Sequence, residues 1–350
     1  MNTEPTEGDE TPKPRLTPEE LDAYLDAAFD SLDSCPDEHR ADDLRRHAGA
    51  EIPSLIHPVF PKVGVACLAG TSDTGKSSLL RQLAIAVAAG DADWLGFELR
   101  PTHRSAIYVS TEDEKEATSY LLRQQTRRYD DAEIGRLRFL FQAEDILETL
   151  QRNLARVPAD LVVIDCFADV YTGDLKDTNK IRSFLLPFQK LAGEHQCLIL
   201  FLHHTGKRTE NLIPHKNNLL AGQGLESKMR LVIELRPDPI RPTDRHLCIV
   251  KGNYLPLTYK TESFVLHFDG PTFTFTNTGQ RLPFELLVKG QDVDDSKAKW
   301  EQARELKAEG NTLAQIAELM GYNSQSSVFN LFKKAKKMGW ESQTNDEDSE

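Results

Sequence analysis

The sequence lacks long apolar runs and has few cysteines. No stretch approaches the length of about 18 apolar residues that indicates a transmembrane helix, so we expect no membrane-spanning segment. The N-terminus has no basic-then-apolar signal pattern, and we expect a cytoplasmic protein. The five cysteines show no metal-binding spacing. Four of them lie in apolar, strand-like runs, which is typical of reduced thiols in a reducing compartment.

Basic residues are scarce at both ends of the chain, which carry most of the net charge of −13. Residues 1–50 contain 14 acidic and 5 basic residues, and residues 341–350 contain 5 acidic residues and no basic one. The remaining residues together are close to neutral. The acidic balance therefore does not exclude a polyanionic partner. We expect disordered acidic tails over 1–16 and 341–350.

The stretch Gly70–Ser77 fits the pattern G-x-x-x-x-G-K-[ST] of a phosphate-binding P-loop. A buried strand is predicted before it, over 63–69, and an apolar-faced helix after it, over 76–90. In this arrangement, backbone N–H groups and the helix N-terminus surround the phosphates. Lys76 would reach the β- and γ-phosphates, and the Ser77 hydroxyl would bind Mg²⁺. The predicted nucleotide-binding residues are Gly70, Thr71, Ser72, Asp73, Thr74, Gly75, Lys76, Ser77 and Ser78.

Apolar strands and helical stretches alternate from residue 52 to about 277. Five strands are predicted with helices between them, over 63–69, 106–110, 137–141, 161–164 and 197–202. This alternation favours an α/β fold with a mainly parallel sheet covered by helices on both faces. Four later strands, over 229–235, 246–250, 263–268 and 273–276, follow each other without helices. The last two alternate in polarity and are expected to be antiparallel strands at the sheet edge.

Two of the predicted parallel strands end in carboxylates, at the sheet edge where α/β proteins bind ligands. Asp165 follows the strand over 161–164 and would hold Mg²⁺ together with Ser77. Glu112 follows the strand over 106–110 and would polarise the attacking water. Asp113 either assists it or caps the next helix. The alternative for both Glu112 and Asp113 is capping and solvent exposure.

Two histidines follow the fifth strand. Successive side chains alternate across a strand, so at most one of His203 and His204 faces the nucleotide, and we expect it to hydrogen-bond the γ-phosphate. Metal ligation is not expected, because no third ligand lies at usable spacing. A long basic loop follows, and its Lys207, Arg208 and Lys216 could contact a nucleic-acid backbone.

Taken together, the P-loop, the strands ending in Glu112 and Asp165, and the stretch from His203 to Lys207 resemble the RecA-fold ATPases. Within that group they are similar to the plasmid RepA-type hexameric helicases and related ATPases of mobile elements, over roughly residues 53–277. The resemblance implies a RecA-like fold with ATP and Mg²⁺ as cofactors. It implies Lys76, Glu112 and Asp165 as catalytic residues, with His204 (or His203) as the phosphate sensor. It also implies a homo-oligomer, expected to be a hexamer, that binds single-stranded DNA.

The ring-forming relatives use a basic finger from a neighbouring subunit, and this chain departs from their pattern. Lys251 matches a basic position, but Gly252 and Asn253 stand where an arginine is expected. Either Lys251 alone serves as the trans-acting finger, or Arg241 or Arg245 replaces it, or turnover is slow.

A second, smaller unit is predicted at the C-terminal end. The expected organisation is an N-terminal helical segment (17–52), a RecA-like ATPase domain (53–279), a linker (280–295) and a helix-turn-helix-like domain (296–340). The last contains three predicted helices, over 299–309, 312–320 and 324–338, with eight basic and four acidic residues. It would bind duplex DNA. The alternative is a helical module for protein contacts.

Two functions follow from this organisation. The first is an ATP-hydrolysing, DNA-associated motor, expected to be a hexameric replicative helicase of a plasmid or mobile element. The second is an ATP-dependent regulatory or assembly switch, which binds duplex DNA through the C-terminal helices without unwinding it. A P-loop kinase is disfavoured, because the sequence has no lid-like arginine cluster.

Overall fold

The computed structural model describes residues 17–30, 39–47, 49–141, 144–220, 222–288, 293–322, 324–337 and 340. The predicted tails over 1–16 and 341–350 lie outside the described residues. The side chains of residues 29, 30, 207, 208, 293–296 and 337 also lie outside the description. The chain divides into two compact units, of which the first ends at Ile52 and the second begins at Pro53.

The first unit contains two described helices, α1 (Pro18–Asp30) and α2 (Ala41–Arg46). A capping box starts α1: the backbone N–H of Glu20 donates to Thr17 Oγ1 (3.3 Å), and the backbone N–H of Thr17 donates to Glu20 Oε2 (2.9 Å). The helix start predicted at Thr17 is therefore confirmed.

The second unit is built on a large mixed sheet. Its strands, with short flanking ones, are β1 (Ser54–Ile56), β2 (Phe60–Pro61), β3 (Gly64–Gly70), β4 (Asp93–Trp94), β5 (Phe97–Glu98), β6 (Ala106–Ser110), β7 (Leu137–Leu140), β8 (Leu161–Asp165), β9 (Leu198–His204), β10 (Leu231–Pro237), β11 (Asp244–Gly252), β12 (Glu262–Asp269) and β13 (Thr274–Pro283). Its helices are α3 (Lys76–Ala89), α4 (Lys115–Gln125), α5 (Asp131–Ile134), α6 (Ile146–Arg156), α7 (Phe167–Val170), α8 (Thr178–Glu194), α9 (Gly222–Lys228), α10 (Val293–Ala308), α11 (Leu313–Leu319) and α12 (Gln325–Lys337).

The strand order in the sheet is β13-β12-β11-β10-β3-β9-β8-β6-β7. The six strands from β10 to β7 are parallel, and β11, β12 and β13 add an antiparallel edge. The predicted fold class, a RecA-like and mainly parallel α/β sheet, is confirmed. Register places Gly70 beside His204 and Ser110 beside Asp165, so the ends of β3, β9, β8 and β6 lie at one edge.

Both faces of the sheet are buried, because alternate residues of each central strand enter different cores. In β3, Ala66 and Leu68 pack with the helix that follows the P-loop, α3. Val65, Cys67 and Ala69 pack on the opposite face with α6 and α8. This double burial explains the uninterrupted apolar strands in the sequence.

The sheet extends further along the chain than expected. Strand β13 continues to Pro283, into the segment for which the sequence analysis expects a linker from residue 280. A 3₁₀ turn, Phe284–Leu287, follows it, and its Phe284 and Leu287 pack against Cys248. Residues 280–287 therefore belong to the folded sheet region.

The three predicted C-terminal helices are present as α10, α11 and α12. They share a small core that includes Trp300, Ile316 and Val328. Thr312 starts α11 with a capping box to Gln315, as expected of its N-cap position. The helix-turn-helix assignment itself stays a prediction. No helix in the described part of the chain has the length and hydropathy to span a bilayer.

Candidate functional site

The P-loop joins the buried strand β3 to the N-terminus of α3. Gly75 is the N-cap of α3 and has φ of 85°, in the left-handed region that favours glycine. A Cβ at this position would lie 2.8 Å from the Phe275 ring. Lys76 is buried, and its Nζ donates to the carbonyl oxygen of Thr71 (2.7 Å). Asp73 is exposed, with φ of 62°. The loop is thus closed by its own lysine.

Charged groups surround the Lys76 ammonium. Burial lowers the pKa of Lys76, whereas the carboxylates of Asp165 and Glu112 act to raise it. These two acids therefore lie near the lysine, at the edge where the sequence analysis expected them.

Asp165 offers an unused oxygen next to the P-loop. The Tyr108 hydroxyl donates to Asp165 Oδ2 (2.6 Å) and contacts the carbonyl oxygen of Ser77 (3.3 Å). Asp165 Oδ1 is buried and has no hydrogen-bond partner among the described residues. Burial raises the pKa of Asp165, against the lowering effect of the nearby Tyr108 and Ser77 hydroxyls. A buried carboxylate oxygen beside the Ser77 hydroxyl fits Mg²⁺, which prefers oxygen ligands.

Glu112 and His204 meet at the ends of β6 and β9. The distance between His204 Nε2 and Glu112 Oε1 is 3.7 Å, and both side chains reach solvent, with exposed fractions of 30% and 52%. Because these side chains are partly exposed beside Lys76, they can reach a water molecule or a phosphate oxygen.

His203 lies in a different environment. It is buried, and its ring packs edge-on against Phe167 with a centroid distance of 5.3 Å. Neither ring nitrogen has a hydrogen-bond partner among the described residues. Burial lowers the pKa of His203 to about 4, with smaller contributions from His204 and Lys76. His204 is therefore the histidine that approaches Glu112.

Asp113 pairs with a buried arginine that the sequence analysis missed. Arg81, on α3, is only 2% exposed in its side chain, and its Nη2 lies 3.4 Å from Asp113 Oδ2. Gln125 also accepts from Arg81 (3.4 Å), and the guanidinium lies over the Tyr108 ring. Asp113 thus braces the P-loop helix, and the N-cap of α4 is Glu114. The helical periodicity of α3 gave one signal, since position 81 lies among its apolar residues.

The three finger candidates are engaged within their own chain. Arg245 Nε donates to the carbonyl oxygen of Thr74 in the P-loop (3.0 Å). Lys251 Nζ contacts Glu226 Oε1 (3.0 Å) and the Glu226 carbonyl oxygen (2.7 Å). Arg241 pairs with two neighbouring aspartates, Asp238 and Asp244. A role in trans would require each of them to exchange these contacts.

A buried ion pair on β10 orders the basic loop. Glu234 and Arg236 have side chains that are each 3% exposed, and their Oε1 and Nε atoms are 2.8 Å apart. Arg236 also donates to the carbonyl oxygens of Thr209 (2.8 Å) and Leu212. Glu234 accepts from the backbone N–H of His215 (3.3 Å). Opposite charges two residues apart in an apolar strand were the available signal for this pair.

The loop also touches the P-loop. The Thr71 hydroxyl donates to Glu210 Oε1 (2.8 Å), which connects the phosphate-binding residues to the 3₁₀ turn Lys207–Asn211. Lys216 pairs with Glu226 (3.2 Å). The side chains of Lys207 and Arg208 lie outside the described part, so their predicted nucleic-acid contacts stay a prediction.

The expectation that the histidine pair lacks a third metal ligand was wrong. In the structure, ligand atoms of Glu112, Cys166 and His204 lie within 4.8 Å of one another. These residues come from three separate strand ends and are distant in sequence, so sequence spacing could not detect the group.

The sheet order and the P-loop define a RecA-fold P-loop ATPase. A family model described as an AAA domain matches residues 34–210, just over half of the chain. The chain therefore belongs to the AAA domain family.

Among solved structures, the chain is similar to the ATPase domain of a helicase, with a TM-score of 0.51 and 14% sequence identity. That similarity covers 73% of this chain and 98% of the other. At this identity it shows a shared fold. No curated protein matches the chain.

Proposed function

We propose that this protein is an ATP-hydrolysing, DNA-associated motor of the helicase type, acting as a hexamer in the replication of a plasmid or mobile element. The observation that carries the proposal is the convergence of acids, a histidine and the P-loop lysine at one sheet edge. Glu112 lies 3.7 Å from His204, and both Glu112 and Asp165 influence Lys76. The RepA-type resemblance supports the helicase and hexamer assignments.

Each residue then has a defined task. The backbone N–H groups of the P-loop and Lys76 bind the phosphates of ATP, and Ser77 and Asp165 hold Mg²⁺. The bound Mg²⁺ supplies positive charge that neutralises the phosphate oxygens. Glu112 accepts a proton from the attacking water. His204, beside Glu112, donates a hydrogen bond to the γ-phosphate and so distinguishes ATP from ADP.

DNA contact is assigned to the loop after β9. Lys207, Arg208 and Lys216 would bind backbone phosphates, which neutralise basic side chains without reading sequence. The hydrogen bond from Thr71 to Glu210 links this loop to the P-loop, and it offers a route by which nucleotide state alters DNA binding.

Hydrolysis measured with and without single-stranded DNA, together with strand displacement, tests the motor. We expect DNA to stimulate turnover and the protein to unwind a tailed duplex. Lys76→Ala should remove both activities. Sizing with a nonhydrolysable ATP analogue should give a hexamer. Indifference to DNA in both assays would refute the motor.

One observation favours a second function, an ATP-dependent switch that binds duplex DNA without unwinding it. The candidate fingers Arg245, Lys251 and Arg241 all make contacts within their own chain. A switch needs ATP-dependent assembly and little turnover. Preference for duplex of a defined sequence over single strands would support it, and the salt dependence of binding would count the phosphates engaged.

A further inference from the structure

Three side chains of different chemistry meet at the catalytic edge of the sheet. Glu112 follows β6, Cys166 follows β8, and His204 ends β9, and these strands are neighbours in the order β9-β8-β6. Their carboxylate oxygen, thiol sulfur and imidazole nitrogen lie within 4.8 Å of one another. Within the described ranges of the chain, this is the one group of metal-ligand side chains that meets this spacing.

We propose that Glu112, Cys166 and His204 form a binding site for Zn²⁺ or a similarly thiophilic divalent ion, and that its occupancy reversibly inhibits ATP hydrolysis. The inhibition rests on the proposed ATPase function, whereas the metal binding does not. The site differs from the Mg²⁺ site, which uses the oxygens of Ser77 and Asp165.

The chemistry of the three ligands selects a soft ion. Zn²⁺ accepts thiolate, imidazole and carboxylate ligands with tetrahedral geometry, and many zinc sites combine three protein ligands with one open position. Mg²⁺ requires oxygen ligands in octahedral geometry and has little affinity for sulfur. Ligand atoms around Zn²⁺ are about 3.5 Å apart, so side-chain rotations alone can close the group.

Charge and burial suit such an ion. The Glu112 carboxylate and a Cys166 thiolate together neutralise a divalent cation, so the nearby Lys76 ammonium faces a neutral complex. Cys166 is 2% exposed, and Glu112 and His204 leave the group open to solvent on one side. The Cys166 thiol donates to Asp169 Oδ2 (3.4 Å), which orients its sulfur.

The thiol must lose its proton when the metal binds. Burial, followed by the neighbouring Glu112 carboxylate, raises the pKa of the free Cys166 thiol. A coordinated thiol is deprotonated by the ion itself, so the proton leaves to buffer as the metal–sulfur bond forms. Glu112, once coordinated, can no longer accept a proton from water, which explains the inhibition.

Direct binding of Co²⁺ to the nucleotide-free full-length protein tests the site. Co²⁺ takes zinc sites and reports sulfur ligation through a thiolate-to-metal charge-transfer absorption. We expect this absorption at one equivalent of metal, lost in Cys166→Ser and retained in Cys248→Ser, which removes a buried thiol elsewhere. If Cys166→Ser does not fold, His204→Gln serves, and it should weaken binding about tenfold or more.

Turnover with Mg²⁺ and buffered Zn²⁺ tests the inhibition. We expect Zn²⁺ to inhibit the native protein about tenfold or more, with recovery on chelation, and to spare Cys166→Ser. Equal inhibition of both proteins would overturn the proposal, because zinc would then act elsewhere. Absence of the cobalt–thiolate absorption in an active ATPase would overturn it as well. A protein with that absorption but without ATPase activity would instead refute the proposed function and leave the metal site standing.

Discussion

His204 Nε2 lies 3.7 Å from Glu112 Oε1, across the ends of two strands that are separated in the sheet by β8. Both side chains remain partly exposed beside the buried Lys76. This arrangement gives Glu112 access to water while a histidine stands next to it. It therefore separates the two acids of the site by role: Asp165 is buried against Tyr108, and Glu112 faces the reactants.

Glu112→Gln should abolish hydrolysis and preserve ATP binding. The amide keeps the shape of the side chain but cannot accept a proton, and loss of a general base lowers turnover by about 10²–10⁴-fold. Steady-state hydrolysis and equilibrium binding of a fluorescent ATP analogue measure the two properties. Glu116→Gln, which changes an exposed acid on α4, should match the native protein. Turnover of Glu112→Gln within about twofold of native would exclude Glu112 as the base.

His203 should make the protein sensitive to acid. Burial lowers its folded-state pKa from 6.5 to about 4, so the unfolded chain takes up the proton first as the pH falls. The stability contribution is complete above about pH 6.5 and is lost progressively towards about pH 4. The loss amounts to about 3 kcal/mol.

Urea unfolding of native protein and His203→Phe at several pH values between these limits measures that loss. The phenyl ring keeps the edge-on contact with Phe167 and does not titrate. The difference in unfolding free energy between the two proteins should shift in favour of the variant as the pH falls. His103→Gln, at an exposed position, serves as the control. Parallel pH profiles for native protein and His203→Phe would contradict the prediction.

The parallel sheet and its functional edge could be predicted because each central strand is an uninterrupted apolar run. Glu112 and Asp165 directly follow or end such runs, so parallel pairing alone brings them to one edge. The end of β13 could not be predicted in the same way. Its polar residues alternate around Gly279 and are typical of a loop, and only pairing with β12 makes them a strand.

The buried charges escaped prediction because their partners are distant in sequence. Arg81 pairs with a residue 32 positions away, and Arg236 donates to a carbonyl 27 positions away. Sequence patterns place charged side chains on the surface, and only the folded chain supplies the partners that permit burial. The group of Glu112, Cys166 and His204 was missed for the same reason.

Asp113→Asn should destabilise the region around α3. Arg81 keeps its charge at any accessible pH, so removal of the Asp113 charge leaves a buried guanidinium with neutral partners only. Because Asp113 is partly exposed, we expect a loss of about 1–3 kcal/mol in unfolding free energy. Urea unfolding measures it, with Asp131→Asn at an exposed position as the control. Equal stability of the two variants would mean that Gln125 and Tyr108 satisfy Arg81 without Asp113.

Arg236→Leu should both destabilise the protein and release the basic loop. The substitution leaves the Glu234 charge buried without its partner, at a loss of about 3–5 kcal/mol, and burial already raises the pKa of Glu234. It also removes the donors to Thr209 and Leu212, so residues 207–220 should become sensitive to limited proteolysis.

A double-mutant cycle separates the pair from the loop. Glu234→Leu combined with Arg236→Leu should lose less stability than the two single changes together, because no buried charge remains unpaired. The loop should still be cleaved in the double variant, since the donors to its carbonyl oxygens are absent. Arg230→Leu, at an exposed arginine just before β10, should change neither property. Strict additivity of the two single changes would show that Glu234 and Arg236 act independently, and a resistant loop would show that the hydrogen bond from Thr71 to Glu210 suffices to hold it.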